Sequence, residues 1–353
     1  MRVLVRGLVS VTIVLGVAAV PVPAHAAPPE GWREVALPFL WPRNTMSTVD
    51  ATGPDSVWVA GVQGRYPIFA PPLGTIIWSY GNPVVRRWDG SRWHEYPLNG
   101  WEADGRFGGL SAHGDQVWIW GQKGASTYVA RFDGTAFQRV ATTSVPGLEV
   151  LSVDTGPGGT WLHGRDADQD NQVYRWTGTA FEKQTLPPHY DPAAVVSTGP
   201  SQAWVVGSYQ PPGTKAAKAA LRWDGTSWTP VPVPGTHDGS RLMKAYATTI
   251  GEVWAAGGFG PDRVFRMSGG TWTAVESPAN SALVGVDGTG SAVLAGSVGN
   301  EGTIHTRDGG AWTTTAFPSS PWIRFRSASG VPGTSTLWAI GHRESTPAVL
   351  TGE

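Results

Sequence analysis

The sequence predicts an all-β protein, a seven-bladed β-propeller with four-stranded blades. Two repeated motifs carry this prediction. The first is a hairpin motif with an Asp-Gly turn, as in Leu221–Trp228 (LRWDGTSW). The second is a buried-strand motif, V-W-x-x-G, as in Val57–Gly61 (VWVAG). The motifs alternate at an interval of about 45 residues, which is typical of a propeller whose blades are single repeats.

The hairpin motif occurs six times. Its alternating pattern predicts two strands, and Asp224-Gly225 predicts a tight turn with positive φ at both residues. The other copies are Arg86–Trp93, Ala130–Phe137, Tyr174–Phe181, Phe265–Trp272 and His305–Trp312. Each copy predicts the outer two strands of one blade.

The buried-strand motif occurs seven times, once more than the hairpin motif. The later copies begin at Val117, Thr160, Ala203, Val253, Val293 and Leu337. We expect the seventh hairpin to be split between the two ends of the chain, with Ala348–Glu353 as its first half and Gly31–Pro38 as its second. Pairing of the ends would close the ring and cover edge strands that otherwise favour aggregation.

The first 26 residues have the pattern of a secretory signal peptide. Arg2 and Arg6 precede an apolar run, Leu8–Val20, and an A-x-A site follows at Ala24–Ala26. We therefore expect residues 1–26 to be a signal peptide, residues 27–353 to form one propeller domain, and the mature protein to be secreted and extracellular. No later segment is apolar for long enough to predict a membrane span.

The composition argues against several classes of function. Without its first 26 residues the chain carries 24 basic and 27 acidic residues, a balance that argues against a nucleic-acid partner. It contains no cysteine, so we expect neither disulfides nor thiol chemistry. Nor does the sequence contain a phosphate-binding or nucleophile motif. The prediction is a monomer without a cofactor, calcium being the one alternative.

Two segments resemble motifs of known propeller families. Val253–Gly258, followed by Phe265 and Trp272, resembles a kelch repeat. Thr303–Trp312 resembles the Asp-box of sialidase-type propellers. The chain from residue 27 onward is similar to secreted bacterial kelch-like propellers. This resemblance implies the fold and does not imply one particular activity.

Two enzyme families can be compared with this sequence. Galactose-oxidase-type enzymes use a Tyr–Cys cross-link at a copper site, which a chain without cysteine cannot form. Sialidases gather three arginines on the channel axis. We expect four arginines near one face, but nothing in the sequence brings three of them together. These four are Arg65, Arg106, Arg241 and Arg324.

Loop lengths predict which face binds a ligand. The inner turns and the Asp-Gly turns stay short in every blade, whereas the other two kinds of loop vary in length. Propeller geometry puts both variable kinds on the opposite face, which we call the variable face, and loops of this kind commonly carry function. The longest loop is 62–82. The predicted ligand-binding residues are Trp41, Tyr66, Phe69, Trp78, Tyr80, Trp101, Tyr190, Tyr209 and Trp322.

These aromatic residues allow two interpretations. In the first, the 62–82 loop folds over the channel and its rings pack against each other. In the second, the rings form platforms for a sugar or a partner protein, beside charged groups such as Asp104 and Asp191. The 14 tryptophans at repeat positions are expected instead to pack between blades.

Asp166, Asp168 and Asp170 follow one another at alternate positions. This spacing resembles the first half of a calcium-binding loop. The acid that closes such a loop is missing, because its twelfth position is Thr177. A solvated hairpin tip without metal is the alternative interpretation.

The weak catalytic candidates are His189, Tyr190, Asp191 and Asp104. Histidine and tyrosine serve as base and acid in eliminative cleavage of uronic-acid polymers, although adjacent loop residues rarely converge on one substrate atom. The leading hypothesis is a non-catalytic protein that binds a glycan or a secreted or cell-surface protein. The alternative is a carbohydrate-active enzyme, a polysaccharide lyase or glycoside hydrolase, with its site at the channel mouth. A third is a structural or inhibitory role against a secreted enzyme.

Overall fold

The computed structural model is a ring of seven β-sheets around a central channel, which confirms the predicted fold class. It describes residues 27–70, 74–101, 104–123, 126–140, 147–235, 238–257, 264–308, 310–318 and 322–353. The predicted signal peptide lies outside these residues. The described chain contains no helix, and hence none long and apolar enough to span a membrane.

Each blade has four antiparallel strands, of which the first lines the channel. The strand β1 (Trp32–Glu34) precedes blade 1. Blade 1 contains β2 (Thr45–Gly53), β3 (Ser56–Gln63), β6 (Asn82–Trp88) and β7 (Trp93–Glu95), with β4 (Pro67–Ala70) and β5 (Thr75–Trp78) inserted after β3. Blade 2 contains β9 (Arg106–His113), β10 (Gln116–Lys123), β11 (Ser126–Phe132) and β12 (Phe137–Arg139), and the short β8 (Leu98–Asn99) pairs in parallel with β12.

The next three blades repeat this order. Blade 3 contains β13 (Glu149–Gly156), β14 (Gly159–Arg165), β15 (Asn171–Trp176) and β16 (Phe181–Lys183). Blade 4 contains β17 (Tyr190–Gly199), β18 (Gln202–Tyr209), β19 (Ala217–Trp223) and β20 (Trp228–Val231). Blade 5 contains β21 (Leu242–Ala247), β22 (Val253–Gly257), β23 (Val264–Ser268) and β24 (Thr271–Val275).

The last two blades complete the ring. Blade 6 contains β25 (Ala282–Val286), β26 (Ala292–Val298), β27 (Glu301–Asp308) and β28 (Ala311–Phe317). Blade 7 contains β29 (Ile323–Gly330), β30 (Leu337–Arg343) and β31 (Thr346–Gly352), with β1 as its outermost strand.

The two ends of the chain meet in blade 7. Strand β1 pairs with β31 in antiparallel fashion, with Trp32 opposite Gly352. The Arg343 guanidinium donates two hydrogen bonds, of 3.0 and 2.8 Å, to the carboxylate of Glu34, which lies 309 positions earlier. The side chain of Arg343 is only 4% exposed. The prediction that the ring closes by pairing of the two ends is therefore confirmed.

The buried-strand motif has a tryptophan in every blade except blade 6, where Leu294 takes its place, and these tryptophans pack into the following blade. The ring of Trp58 meets those of Phe132 and Phe137 edge to face, with centroids 5.0 and 5.9 Å apart. Edge-to-face contacts also join Trp118 to Trp176 and Phe181, Trp161 to Trp223 and Trp228, Trp204 to Trp272, and Trp338 to Trp93. Trp338 meets Trp88 at a tilted angle. Each of these motif tryptophans is at most 2% exposed. They are scaffold, as predicted.

Arginines at one position of the third strand cover several of these tryptophans. Their guanidinium carbons lie 5.5 to 5.8 Å from the indole centroids in the pairs Arg87–Trp58, Arg175–Trp161 and Arg266–Trp254. This distance suits a cation–π interaction. Arg266 also makes a bidentate pair with Glu252, at 2.8 and 2.9 Å.

The prediction of two-residue turns with two positive φ angles was wrong for four of the hairpin motifs, whose turns are four-residue loops. It is confirmed in blade 5, where Ser268 pairs with Thr271 and both glycines between them have positive φ, and the blade 6 turn after Asp308 also has two residues. In the hairpin that contains Asp224, the last paired residues are Trp223 and Trp228, and Gly225 has φ 104° while Asp224 does not enter this region. The Asp224 carboxylate accepts hydrogen bonds from the backbone N–H groups of the residues two and three positions later, at 2.8 and 2.9 Å. These bonds hold its pKa well below the usual range. The aspartate side chain therefore shapes the turn.

Every inner strand contains a β-bulge. In blade 4 the register shifts after Pro192, which lies opposite Gly207, the glycine of the buried-strand motif. A Cβ atom at Gly207 would lie 2.0 Å from the carbonyl oxygen of Asp191. The bulged strand approaches too closely for any side chain, which explains why the motif ends in glycine.

We expect Gly207→Ala to lower the free energy of unfolding by about 1 to 3 kcal/mol, because the added methyl group forces the backbone of β17 to move. The measurement is urea unfolding followed by tryptophan fluorescence. Gly53→Ala is the matched control, since a Cβ atom there meets nothing within 4 Å. Equal stability of the two variants would contradict this account of the motif.

Candidate functional site

The insertion in blade 1 forms an exposed two-stranded ribbon, β4–β5, which we call the aromatic hairpin. Its cross-strand pairs are Pro67–Trp78, Ile68–Ile77, Phe69–Ile76 and Ala70–Thr75. Alternation along the strands puts Phe69, Ile76 and Trp78 on one face, and Ile68 and Ile77 on the other. Both faces are open to solvent, since Phe69 is 65% exposed and Ile77 is 45% exposed. The hairpin therefore buries neither of its apolar faces against the propeller.

The loop before β2 extends this apolar surface. Phe39 and Trp41 are 71% and 61% exposed, and their rings meet edge to face with centroids 5.4 Å apart. The backbone N–H of Trp41 donates a 3.0 Å hydrogen bond to Oε1 of Gln63, just before the hairpin. The Arg43 guanidinium lies 4.0 Å from the centroid of the Trp78 indole. The loop and the hairpin thus form one continuous surface.

Polar contacts fix the base of the hairpin. Buried Ser79 donates its backbone N–H to the carbonyl of Tyr66 at 2.9 Å and accepts the Tyr66 N–H at its hydroxyl, 3.0 Å away. The Arg65 Nε donates to the Ser79 carbonyl. Tyr66 and Tyr80, both predicted to contact a ligand, flank this base and are more than half exposed. The apolar ribbon consequently projects from an anchored support.

Trp101 is not part of this surface. It is 3% exposed and packs against Tyr128 and Phe107, with centroids 4.7 and 6.4 Å away. Its ring packs into the core of blade 2 and is buried there. The prediction that Trp101 contacts a ligand therefore does not agree with the structure. The sequence signal for a loop tryptophan does not distinguish a ring that stands free from one that packs inward.

The other predicted aromatic residues lie elsewhere on the variable face. Tyr190 and Tyr209 are cross-strand partners in blade 4, with ring centroids 4.7 Å apart. They line a groove of about 280 Å³ together with the segment 230–235. Trp322, at the start of blade 7, lies beneath the guanidinium of Arg324 at 4.7 Å. The structure therefore brings together Trp41, Tyr66, Phe69, Trp78 and Tyr80, and separates the remainder.

The four catalytic candidates do not form one site. The Asp191 carboxylate accepts a 2.6 Å hydrogen bond from Asn171 and pairs with Arg241 at 3.2 Å. The ring of Tyr190 packs at a tilt against that of Tyr209, its neighbour across the sheet, and exposed His189 occupies a turn with φ 69°. Asp104 belongs to the loop between blades 1 and 2, where its carboxylate accepts the N–H of Gly81 at 2.6 Å. Asp104 is thus a tether for the end of the insertion.

The three aspartates of the predicted calcium loop do not form a group that could hold a metal ion. The Asp166 carboxylate accepts the backbone N–H groups of Asp168 and Asp170 at 3.1 and 3.0 Å, and its second oxygen accepts the amide of Gln172. Asp168 and Asp170 are exposed. The geometry supports the alternative of a hydrogen-bonded hairpin tip.

The four arginines considered for a sialidase-like site have four different neighbours. Arg65 bonds the Ser79 carbonyl, Arg106 lies 3.7 Å from Glu149, Arg241 pairs with Asp191, and Arg324 covers Trp322. No three of them share a contact in the described structure. An arginine triad of the sialidase kind is not assembled from these residues.

The central channel has a volume of about 560 Å³ and is lined by the inner strands of all seven blades. A belt of hydrogen bonds joins its walls. The Asp50 carboxylate accepts the backbone N–H of Ala112 in the next blade at 2.8 Å, and the Asp154 carboxylate accepts that of Ser197 at 2.7 Å. Hydroxyls at the same level do the same between other blades, Ser111 for Thr155 and Ser329 for Ala51, both at 3.0 Å.

Burial shifts the pKa values of several groups in or beside the channel. It raises the pKa of Asp50 to about 6 and, with added repulsion from Asp50, raises the pKa of Asp154 to about 7. Burial also lowers the pKa values of His163 and His342 to about 4. The His342 Nε2 atom accepts the backbone N–H of Met46 at 3.0 Å, which requires a neutral ring. Asp50, Asp154 and His342 thus make hydrogen bonds that join neighbouring blades.

Comparison with known proteins establishes the fold. No family model and no curated protein matches the chain. The structure of YCF48 bound to a D1 peptide matches it with a TM-score of 0.57 and 14% identity, covering 92% of this chain and 97% of that one. Streptogramin B lyase matches with a TM-score of 0.56 and 11% identity, covering 91% and 97%.

A puromycin-hydrolyzing peptidase from Mycobacterium tuberculosis matches with a TM-score of 0.58 and 15% identity, covering 85% of this chain and 49% of the peptidase. At such identities the likeness shows the propeller fold alone. The neighbours include a peptide-binding protein and two enzymes, so they do not select one activity. The closer resemblance to kelch-like or Asp-box propellers stays a prediction.

Two tryptophan variants should separate scaffold from surface. We expect Trp101→Ala to lower the free energy of unfolding by about 3 to 5 kcal/mol, since it empties a buried site. Trp78→Ala should cost less than about 1 kcal/mol, because a half-exposed ring loses only its contact with Arg43. Urea denaturation of both variants provides the measurement. A larger loss for Trp78→Ala than for Trp101→Ala would refute the assignment.

Asp154→Asn should stabilise the protein at pH 8 and leave it nearly unchanged at pH 4.5. The folded state holds a proton on Asp154 up to about pH 7, whereas the unfolded state releases it near pH 4, so the wild-type carboxylate costs stability as pH rises through this window. Asparagine removes the buried charge and still accepts the Ser197 N–H. His163 and His342, whose pKa values are lowered, make the protein less stable as the pH falls below 6.5. Because this effect is the same in variant and wild type, the measurement is the difference between their melting temperatures at each pH. A difference that is constant with pH would contradict the prediction.

Proposed function

We propose that this protein is an exported, non-catalytic binding protein that holds a protein partner on its aromatic hairpin. The observation that carries the proposal is the exposure of apolar side chains on both faces of the β4–β5 ribbon. The pattern of a signal peptide at residues 1–26 supports the export of the chain.

The exposed apolar surface is concentrated in two segments. Most of the large apolar side chains that the structure leaves exposed belong to the loop 39–41 or to 66–80. Contiguous apolar patches of this kind mark interaction sites, because leaving them in water is costly. Phe39, Trp41 and Trp78 are also of the aromatic type that anchors protein interfaces.

The chemistry of the ribbon favours a protein over a glycan. The described residues of β4 and β5 carry no charged side chain, and three of them are isoleucines, Ile68, Ile76 and Ile77. A sugar needs polar groups that converge on its hydroxyls, which this ribbon does not present. Isoleucine side chains pack instead against apolar side chains of another protein.

The ribbon also offers its backbone. Within the described chain, β4 and β5 pair only with each other, so each keeps an outer edge with unpaired N–H and C=O groups. A partner strand can add to such an edge through main-chain hydrogen bonds. An isolated two-stranded ribbon is marginally stable on its own, so a partner that covers it also stabilises it.

The enzyme alternative has weaker support. The candidates His189, Tyr190, Asp191 and Asp104 make separate structural contacts and do not share a substrate position. Peptide binding has a precedent among the structural neighbours, one of which is YCF48 with a D1 peptide. That precedent supports a binding role for the fold and does not identify the partner here.

We expect a variant with Phe69, Ile76 and Trp78 all changed to serine to lose at least tenfold in affinity for its partner, because the contact surface becomes polar. The mature protein is immobilised, and the proteins it retains from the supernatant and surface extract of its source cells are identified by mass spectrometry. Each is then purified, and its dissociation constant is measured by surface plasmon resonance. A glycan array and binding to phospholipid vesicles are run in parallel.

Ile250→Ser is the matched control, since Ile250 is 63% exposed on the opposite face. The control should bind as the wild type does, and both variants should keep the wild-type melting temperature within about 2 °C. Binding that survives the triple substitution would refute the role of the hairpin. A specific glycan or a vesicle as the sole ligand would refute the protein partner.

A further inference from the structure

Blade 6 contributes fewer residues to the channel wall than blades 5 and 7 do. The inner strand of blade 6 is shorter than that of blade 7, with five residues against eight. Of blade 6, only Val286 and Asp287 line the channel in the described structure, and Val286 lies opposite Ala292, next to the inner turn. At the variable-face end, the described lining of the channel therefore passes from blade 5 to blade 7 without a residue of blade 6. We call this part of the channel wall the blade 6 notch.

Two cationic side chains flank the notch. Lys244 of blade 5 and Arg326 of blade 7 both line the channel. Lys244 lies opposite Ala256, and Arg326 is the bulge residue that follows Phe325, so both lie in the half of their strands nearer the variable face. Both side chains are exposed to the channel. The notch thus has a positive charge on each side.

Neither cation has an acidic partner among the described residues. Other arginines at the variable face have acidic partners: Arg106 and Arg165 lie 3.7 Å from Glu149, and Arg241 pairs with Asp191. No ion pair within 4 Å connects Lys244 or Arg326 to a described carboxylate. The channel wall partly dehydrates the ammonium group of Lys244, which lowers its pKa. No acidic neighbour in the described part of the chain offsets this loss of hydration.

We propose that the blade 6 notch binds a carboxylate group, held between Lys244 and Arg326. Charge-assisted hydrogen bonds from an ammonium and a guanidinium group suit a carboxylate, and a channel of about 560 Å³ has the size of a small-ligand site. The chain from residue 27 onward has more acidic than basic residues, so general attraction of anions does not account for such binding.

The deeper channel favours a single negative charge over a phosphate. Asp50 and Asp154 lie further along the same channel, at the level of the motif tryptophans. A second negative charge on the bound group itself, as in a phosphate, would be repelled by these carboxylates whenever they are ionised, whereas further carboxylates of a ligand can lie toward the variable face. The carboxylate is supplied by a free organic acid or by an acidic residue of a peptide, two sources that one assay distinguishes.

The test uses fluorescein-labelled hexaglutamate, with binding to the mature protein followed by fluorescence anisotropy at low salt. Tricarballylate, inorganic phosphate and hexalysine are added as competitors. We expect Lys244→Gln with Arg326→Gln to weaken binding at least tenfold. Arg92→Gln, on the opposite face and 76% exposed, should bind within twofold of wild type. The triple serine variant of the aromatic hairpin should also bind normally, which tests this site independently of the proposed function.

Several outcomes decide the proposal. Displacement of the peptide by tricarballylate supports a free acid as ligand, and peptide binding without such displacement supports an acidic chain. Unchanged binding by the double variant overturns the site, provided that its melting temperature matches the wild type. The proposal is also overturned if Arg92→Gln loses as much affinity as the double variant, or if neither carboxylate probe binds. It is overturned as well if phosphate competes more strongly than tricarballylate.

Discussion

The structure depends on the contact between neighbouring blades, and therefore on closure of the ring. Each motif tryptophan is buried by the blade that follows it, so an open ring would leave the last of them, Trp338, against water instead of Trp88 and Trp93. Burial of one indole side chain contributes about 5 kcal/mol before entropy is subtracted. The pairing of β1 with β31, with the ion pair of Arg343 and Glu34, secures that last interface.

The repeated geometry of the blades also determines which side chains line the channel and which join the blades. The bulge in each inner strand lies against a motif glycine in six blades and directs extra side chains, such as Arg326, into the channel. Aspartates and serines one level deeper join the blades to each other through backbone amides. The scaffold thus uses its own polar groups at the joints, which leaves the long loops of the variable face free to differ.

The sequence was sufficient to predict the features that recur from blade to blade, but not the features that occur once in the chain. The packing of Trp58 and the closure by Trp32 follow from motifs that recur, because each copy repeats the same local environment. Trp101 was misassigned because burial of a loop ring depends on a fold-back that no periodicity records. Lys244 and Arg326 were not predicted because they belong to different blades, and they line the same channel only once the ring has formed.

Closure by distant segments also has a consequence for biosynthesis. Blade 7 needs β1, which leaves the ribosome before the strands of the other six blades, and β31, which leaves it after them, so its sheet cannot form while those blades are translated. Until then the nascent chain carries apolar blade surfaces and an unpaired edge, the features that chaperones recognise and that invite misassembly. A chain released before β31 should remain an open arc, whatever the stability of its individual blades.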